Sequence, residues 1–315
     1  MAALYDGGCV FTAGAAMGGL NLDHLRIFLD VIEHGSFSAA AERHGLTQPA
    51  VSQQVRQLER RYGLRLAERV GRRVAATAAG LELIDHIRRI DGAVAEAEQA
   101  MQSRRTEVSG RVRVGTGGTA CTYLLPPMLS QLRRRFPELD VVVSTGNTAD
   151  VLRGIEQNSV DIGLVTLPAP GRMLQVTPLL DDEFVAIFAA AGDPPPARVT
   201  PAALAARSLV LFEPGARTRR LVDDWFERAG VPVKPAMELG STEAMKEIVG
   251  AGLGCAVLPR MAVSGAGARA ALAVKRLSPP LRRQLAVVMR RDKPVGRALR
   301  QVLDALLALR ARAAR

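Results

Sequence analysis

Residues Ser36–Thr77 read SFSAAAERHGLTQPAVSQQVRQLERRYGLRLAERVGRRVAAT, and this stretch decides the fold at its end of the chain. Two short helical patterns are separated by His44-Gly45 and followed by a basic segment centred on Gly71. Ser36 and Thr47 stand at N-cap positions, where a hydroxyl accepts from the unpaired N–H groups of the first turn. Gly45 suits the left-handed residue that ends a helix. Pro49 falls in the first turn of the second helix, where its missing N–H costs nothing. On that helix Val51, Val55, Leu58 and Tyr62 step by four, three and four residues, the spacing of a buried stripe. Leu46 is expected to pack inward beside them.

The opposite face of this helix carries Gln48, Ser52, Gln53 and Arg56. Gln bonds adenine bidentately, Ser bonds several base edges, and Arg suits guanine or phosphate. A helix held out by a tight turn fits the major groove of duplex DNA. Leu66–Thr77 reads as a hairpin turning at Gly71, with Arg69, Arg72 and Arg73 gathered around it. Such a wing reaches the backbone or the minor groove. An ordinary solvated face and a charged turn are the plain alternatives for each piece alone.

Working outward, Leu22, Leu25, Ile27, Phe28, Val31 and Ile32 recur at helical spacing, which predicts a helix over Asp23–His34 stopped by Gly35. Residues 1–19 have neither a basic start nor a long apolar run, so they read as a tail rather than a signal peptide, with Met17 a candidate native start. Beyond the hairpin, Ala78 to about Arg105 contains no proline. There Leu83, Ile87, Ile90, Val94, Ala97 and Met101 alternate steps of four and three, a heptad seam for pairing with a second copy. Thr77 caps this helix, and Gly80 and Gly92 are expected to weaken it. The alternative is an amphipathic helix packed on its own domain.

Strand and helix patterns alternate after Ser109-Gly110, which is the mark of an α/β domain. Strands are expected at Arg111–Gly115, Asp140–Ser144, Val160–Val165, Glu183–Ala189, Ser208–Phe212, Cys255–Leu258 and Gln284–Met289. Leu125, Met128, Leu129, Leu132 and Phe136 share one helix face. Gly192–Pro196 is a turn. Four polar strand-to-helix turns then draw attention: Thr116-Gly117-Gly118-Thr119, Gly146-Asn147-Thr148, Arg217-Thr218-Arg219 and Gly240-Ser241-Thr242. Each alone reads as helix capping. Together they gather at the carboxyl ends of strands, where α/β folds bind ligands. Hydroxyls, backbone amides and an arginine there suit a small anion, which nominates Thr116, Gly117, Gly118, Thr119, Asn147, Thr148, Arg217, Thr218 and Ser241.

The segment SFSAAAERHGLTQPAVSQQVRQLERRYGLRLAERVGRRVAATAAG resembles the winged helix-turn-helix of LysR-type transcriptional regulators. The likeness rests on Ser36–Ala41, Gln48–Ser52, Leu58-Glu59 and Gly71-Arg72-Arg73. In that family the positions of Gln48, Pro49, Ser52 and Gln53 face the groove, and those of Arg72 and Arg73 lie in the wing. Ala67 and Ala76 depart from the family's usual Phe and Leu. The stretches LLPPMLSQLRRRFPELDV, GNTADVLRGIEQNSVDIGLV, LFEPGARTRRLVDDWF and ELGSTEAMKEIVGAGLGCAVLP resemble the same family's effector-binding domain. EPGARTR and ELGSTEA are similar to regulators of sulfur and carbon assimilation.

The resemblance implies a multidomain fold. A winged helix-turn-helix (20–77) and a linker helix (78–108) would precede an α/β, periplasmic-binding-protein-like (type 2) effector domain (109–315). That domain would divide into subdomain I (about 110–181 and 282–315) and subdomain II (about 182–281), with the ligand cleft between them. The implied partners are double-stranded DNA bearing an imperfect palindrome, a small anionic effector, and the chain itself as homodimer or homotetramer. RNA polymerase is a candidate partner, and the expected location is the cytoplasm.

Of the net charge of +11, residues 281–315 supply +8, from ten Lys+Arg against two Asp+Glu, whereas residues 1–110 balance at thirteen of each. Bulk charge therefore says little about DNA binding, and the placement of the hairpin arginines says more. Cys9, Cys121 and Cys255 are odd in number and show no CxxC spacing, as in a reduced compartment without a zinc site. Every histidine (His24, His34, His44, His86) precedes the α/β domain, so Cys121 and Cys255 lack a base there. Cys121 is a minor candidate for a redox-sensitive thiol. Gly117-Gly118 lacks the lysine of a phosphate loop, and Asp181-Asp182 and Asp223-Asp224 read as surface charges. No enzyme activity, cofactor, metal or membrane span is expected. A transporter's solute-binding protein and an α/β enzyme are the rival readings.

Overall fold

A computed structural model describes residues 19–102, 108–192, 194–264 and 271–313. Cys9, Met17 and the end of the linker pattern at 103–105 lie outside the described residues. Those up to Ile87 form one compact unit and those from Arg88 a second.

In the first unit, side chains set the helix ends. α1 (Leu22–His34) starts at Asn21, whose side chain accepts from Asp23 N–H, and stops at Gly35 with φ 65°. α2 (Phe37–His44) begins under the Ser36 hydroxyl and ends at Gly45 with φ 63°. α3 (Gln48–Tyr62) begins under Thr47. Leu25, Phe28, Val31, Ala40, Ala41, Val51, Val55 and Leu58 are buried. Two expected core residues are not: Leu46 is 38% and Tyr62 39% exposed. Leu46 sits in the short connection between helices, and Tyr62 is the last residue of α3, past its buried stripe.

β1 (Ala67–Val70) and β2 (Arg73–Ala76) form the antiparallel wing. Polar anchors hold its base. Glu59 accepts from Leu66 N–H at 3.0 Å, the Thr77 hydroxyl donates to Arg65 C=O at 2.7 Å, and Val74 N–H donates to Gly35 C=O at 2.9 Å. α4 (Ala78–Gln102) follows, with Gly80 N–H donating to the Thr77 hydroxyl.

In the second unit, β3 (Gly110–Thr116), β4 (Leu139–Thr145) and β5 (Ile162–Thr166) are parallel, in the order β4-β3-β5. Between them run α5 (Gly118–Tyr123), α6 (Leu125–Arg135) and α7 (Thr148–Glu156). β6 (Leu174–Ala189) then spans two half-sheets. Up to Glu183 it pairs with β11 (Arg282–Arg290), and from Phe184 with β9 (Cys255–Pro259). Phe184 N–H donates to Leu281 C=O at this crossing. The second lobe continues through β7 (Leu209–Phe212) and β8 (Met237–Leu239), while β10 (Leu272–Arg276) flanks β6. Its helices are α8 (Pro201–Ala205), α9 (Arg217–Glu227) and α10 (Thr242–Gly250), and α11 (Arg297–Ala313) returns to the first lobe.

Each lobe has its own core. Val112, Val114, Ile162 and Leu164 pack with Leu125 and Met128 of α6 and Leu299, Val302 and Leu306 of α11. Phe184, Leu209, Leu211, Trp225, Phe226 and Val257 form the core of the second lobe. Strand β6 begins well before its expected start at Glu183. Pro178 and the charges at Asp181-Asp182 hide the earlier half, and a register shift between Leu285 and Ala286 accommodates that stretch.

Candidate functional site

On α3 the buried stripe turns Gln48, Pro49, Gln53 and Arg56 outward, all exposed, with Ser52 half-buried. Arg69, Arg72 and Arg73 are exposed on the wing. Arg73 lies over Gly35, its Nε 3.3 Å from where a Cβ would stand. The geometry therefore leaves the expected reading face uncovered within its unit. His44 Nε2 lies 2.5 Å from Asp30, between α1 and α2, so this histidine is used inside the module.

Of the seam residues on α4, Leu83, Ile90 and Val94 are half-buried, and Ala97 and Met101 are exposed. Ile87 corrects the expectation: at 1% exposure it is already covered by its own chain and offers nothing to a partner. Gly80 and Gly92 are also more than weak points. A Cβ at Gly80 would meet Leu66 C=O at 2.1 Å, and one at Gly92 would meet Asn158 at 2.7 Å. Both are places where α4 approaches another backbone too closely for a side chain.

In the second unit a cavity of about 520 Å³ opens between the lobes. Gly117, Gly118, Thr119, Asn147, Thr148, Arg217, Thr218 and Ser241 all line it. Thr116 does not. It is fully buried and its hydroxyl donates to Leu164 C=O at 3.0 Å, because the last residue of β3 points into the sheet. Asn147 and Ser241 are spent as N-caps of α7 and α10. α9 differs: its N-cap is Ala216, with no capping side chain and no acidic residue in the first turn. Its first turn therefore has neither a capping side chain nor an acidic residue to match the helix dipole beside the cavity. The adjacent Arg217 has a buried Nε without a hydrogen-bond partner among the described residues. Arg219, two residues on, donates to Asp223, Glu238 and Phe212 C=O.

The structure adds lining residues that the sequence did not mark. Arg283 is buried beneath the cavity, paired with Asp182 at 2.9 Å and 3.4 Å from the Thr218 hydroxyl. Burial raises the pKa of Asp182 and lowers that of Arg283, each against the other's attraction. Asp182 is thus no surface charge, since neighbours on β6 face opposite ways. No local sequence signal pairs two residues 101 positions apart. Glu213, Asp150 and Glu243 bring carboxylates to the wall. Asp150 closes the capping box of α7, whereas Glu243 pairs with Lys246 at 2.8 Å and accepts from the Tyr123 hydroxyl. The Tyr123 and Thr119–Thr242 contacts tie α5 to α10 across one edge of the cleft.

Cys121 is half-buried and not among the lining residues. Burial pushes the Cys255 thiol up to about 11, far from thiolate chemistry. Among the described residues no His, Cys, Asp and Glu group could hold a metal, and no helix is long and apolar enough to cross a membrane.

A winged helix-turn-helix joined by a long helix to a two-lobed α/β body defines a DNA-binding transcriptional regulator. The model of the bacterial regulatory helix-turn-helix protein, lysR family, matches residues 22–81, and that of the LysR substrate binding domain matches residues 105–311. The HTH-type transcriptional regulator CbbR of Xanthobacter flavus is 38% identical over 292 residues, 90% of this chain and 87% of that protein. Among solved structures, CbnR, a LysR family transcriptional regulator, is 20% identical with a TM-score of 0.70, over 94% of this chain and 100% of that one. Full-length CbnR complexed with its target DNA is 21% identical with a TM-score of 0.69, over 91% and 99%. The structural likenesses speak to the fold alone. The chain belongs to the LysR family of transcriptional regulators, and its relatives are regulators, not enzymes.

Proposed function

We propose that the chain reads DNA through Gln48, Pro49, Ser52, Gln53 and Arg56, with Arg72 and Arg73 on the flanking backbone or minor groove. CbnR was solved on its target DNA, which supports the same use of this module. Pairing along Leu83, Ile90, Val94, Ala97 and Met101 presents two reading helices to an imperfect palindrome. Assembly to a tetramer and contact with RNA polymerase belong to the same reading.

We infer that the interlobe cavity holds a small anionic effector. The unpartnered Nε of Arg217 beside the uncapped start of α9 carries this reading. A carboxylate or oxyanion there satisfies both at once. The Glu213 carboxylate has no hydrogen-bond or ion-pair partner among the described residues and lies against Gly240. It repels a second anionic group and accepts from a hydroxyl, so a hydroxylated monoanion fits best. Calorimetry of the full-length protein against inorganic oxyanions and small hydroxy acids tests this. Flat titrations throughout, or binding of cations alone, reject it. A gel-shift assay with the DNA upstream of the protein's own gene tests the DNA half.

A further inference from the structure

Helix α7 runs between two places of different kind. Its first turn, with Asn147, Thr148 and Asp150, lines the cavity. Its other end delivers Asn158, held in the left-handed region at φ 60° and 3% exposed. The Asn158 side-chain oxygen accepts from Lys293 Nζ at 2.6 Å. Lys293 is itself buried and pairs with Asp161 at 2.8 Å. Asp161 in turn accepts from the guanidinium and the backbone N–H of Arg113 on β3. Asn158 cannot shift without disturbing that buried ionic network.

Against Asn158 lies Gly92 of α4. A Cβ at Gly92 would stand 2.7 Å from the Asn158 Cβ and 2.7 Å from its carbonyl oxygen. A mid-helix glycine costs about 1 kcal/mol relative to alanine, and this contact accounts for its presence. The body of α7 is seated as firmly as its end. Val151, Leu152 and Ile155 are buried with Val165 and Val288, and Val151 lies over Gly115 and Gly163, where added Cβ atoms would collide with it. At about 1.5 Å per residue α7 is a rod about 13 Å long, and close-packed rods shift as units.

We propose that α7 couples the cavity to α4, with the Gly92–Asn158 contact as the coupling point. A ligand that moves the first turn of α7 thereby moves the helix that leads to the winged module. The proposal rests on the cavity being the effector site, but its test needs no effector. Coupling is reciprocal, so a disturbance at either end is felt at the other.

The measurement is backbone amide exchange in the full-length protein, followed by mass spectrometry. Asp150→Ala removes the capping box at the cavity end. It should speed exchange in peptides covering residues 88–98 roughly threefold or more, leaving α1–α3 unchanged. Asn158→Gly keeps the left-handed backbone unstrained and removes the side chain facing Gly92, leaving only the carbonyl oxygen there, and in that background the effect of Asp150→Ala on residues 88–98 should shrink. In the other direction, Gly92→Leu should speed exchange over residues 148–156, and Gly92→Ala provides a milder version if Leu prevents folding. Unchanged exchange in residues 88–98 of Asp150→Ala overturns the proposal, as does an effect that persists undiminished in Asn158→Gly. Flat anion titrations with this coupling intact would instead reject the effector reading alone.

Discussion

Arg217 and Asp161 show how differently two charged side chains are used. Arg217 keeps a buried Nε without a partner at the cavity, whereas Asp161 is surrounded by Arg113 and Lys293. Arg217→Ala should lower affinity for a bound anion by about 1.5–3 kcal/mol, the worth of a hydrogen bond to a charged group, and calorimetry reads that loss directly. At Asp161, burial opposes ionisation, but the hydrogen bonds from Arg113 and Lys293 outweigh it and hold the carboxyl below its ordinary value. A carboxyl held low in the folded state stabilises above its unfolded pKa of about 3.9 and loses that contribution as pH falls further. Acid unfolding of the wild type should therefore steepen below about pH 4, and Asp161→Asn should flatten that limb. At neutral pH the same substitution should cost about 3–5 kcal/mol, because it removes the carboxylate shared by buried Lys293 and half-buried Arg113. Chemical denaturation against pH checks both. On the reading helix, Ser52→Ala and Gln48→Ala should each cost about 1–3 kcal/mol at the specific operator and little on random DNA. Arg72→Ala should weaken binding to all sequences and lower the salt slope by about one unit. Operator affinity unchanged in all three variants would remove the assigned face.

Among the elements, α4 is the one whose behaviour the ordinary rules misjudge. Gly→Ala inside a helix normally stabilises by about 1 kcal/mol. At Gly80 the new methyl would stand 2.1 Å from Leu66 C=O. Gly80→Ala should instead destabilise by about 1–3 kcal/mol, as overpacking does, and thermal melts give the sign at once. The wing illustrates a second point. Ala67 and Ala76 supply little apolar bulk, yet Glu59 and Thr77 fasten the base of the hairpin through backbone hydrogen bonds. Polar anchoring here replaces packing. Capping residues such as Ser36, Thr47 and Thr77 were legible in sequence because their partners lie three residues away. The early half of β6 was not, because Pro178 and paired aspartates oppose strand propensity and only pairing with β11 holds them.

For the molecule as a whole, oligomerisation carries the next prediction. With Ile87 covered by its own chain, the proposed pairing seam narrows to Leu83, Ile90, Val94, Ala97 and Met101. Val94→Glu should place a charge in that seam and shift the dimer toward monomer in sedimentation velocity, with operator affinity falling alongside. An undisturbed dimer would locate the pairing surface elsewhere. The C-terminal charge excess also finds partial use. Arg283 pairs with Asp182, Arg290 with Asp292 and Lys293 with Asp161, and Arg291 Nε donates to Leu174 C=O. Those cations serve the effector domain's own structure rather than an acidic partner.

Periodicity, caps and turn residues were enough to recognise the winged module, the long helix and the alternating α/β body, because each depends on neighbours within a turn or a strand. They also marked part of the cavity wall, since polar strand-to-helix turns collect at one edge of such a sheet. What required three dimensions was every partnership across long separation: Arg283 with Asp182, Tyr123 with Glu243, Lys293 with Asn158, and Gly92 against Asn158. Chain order says which residues can cap or turn, whereas which backbone comes within contact of which is set only when the lobes and the helix pack.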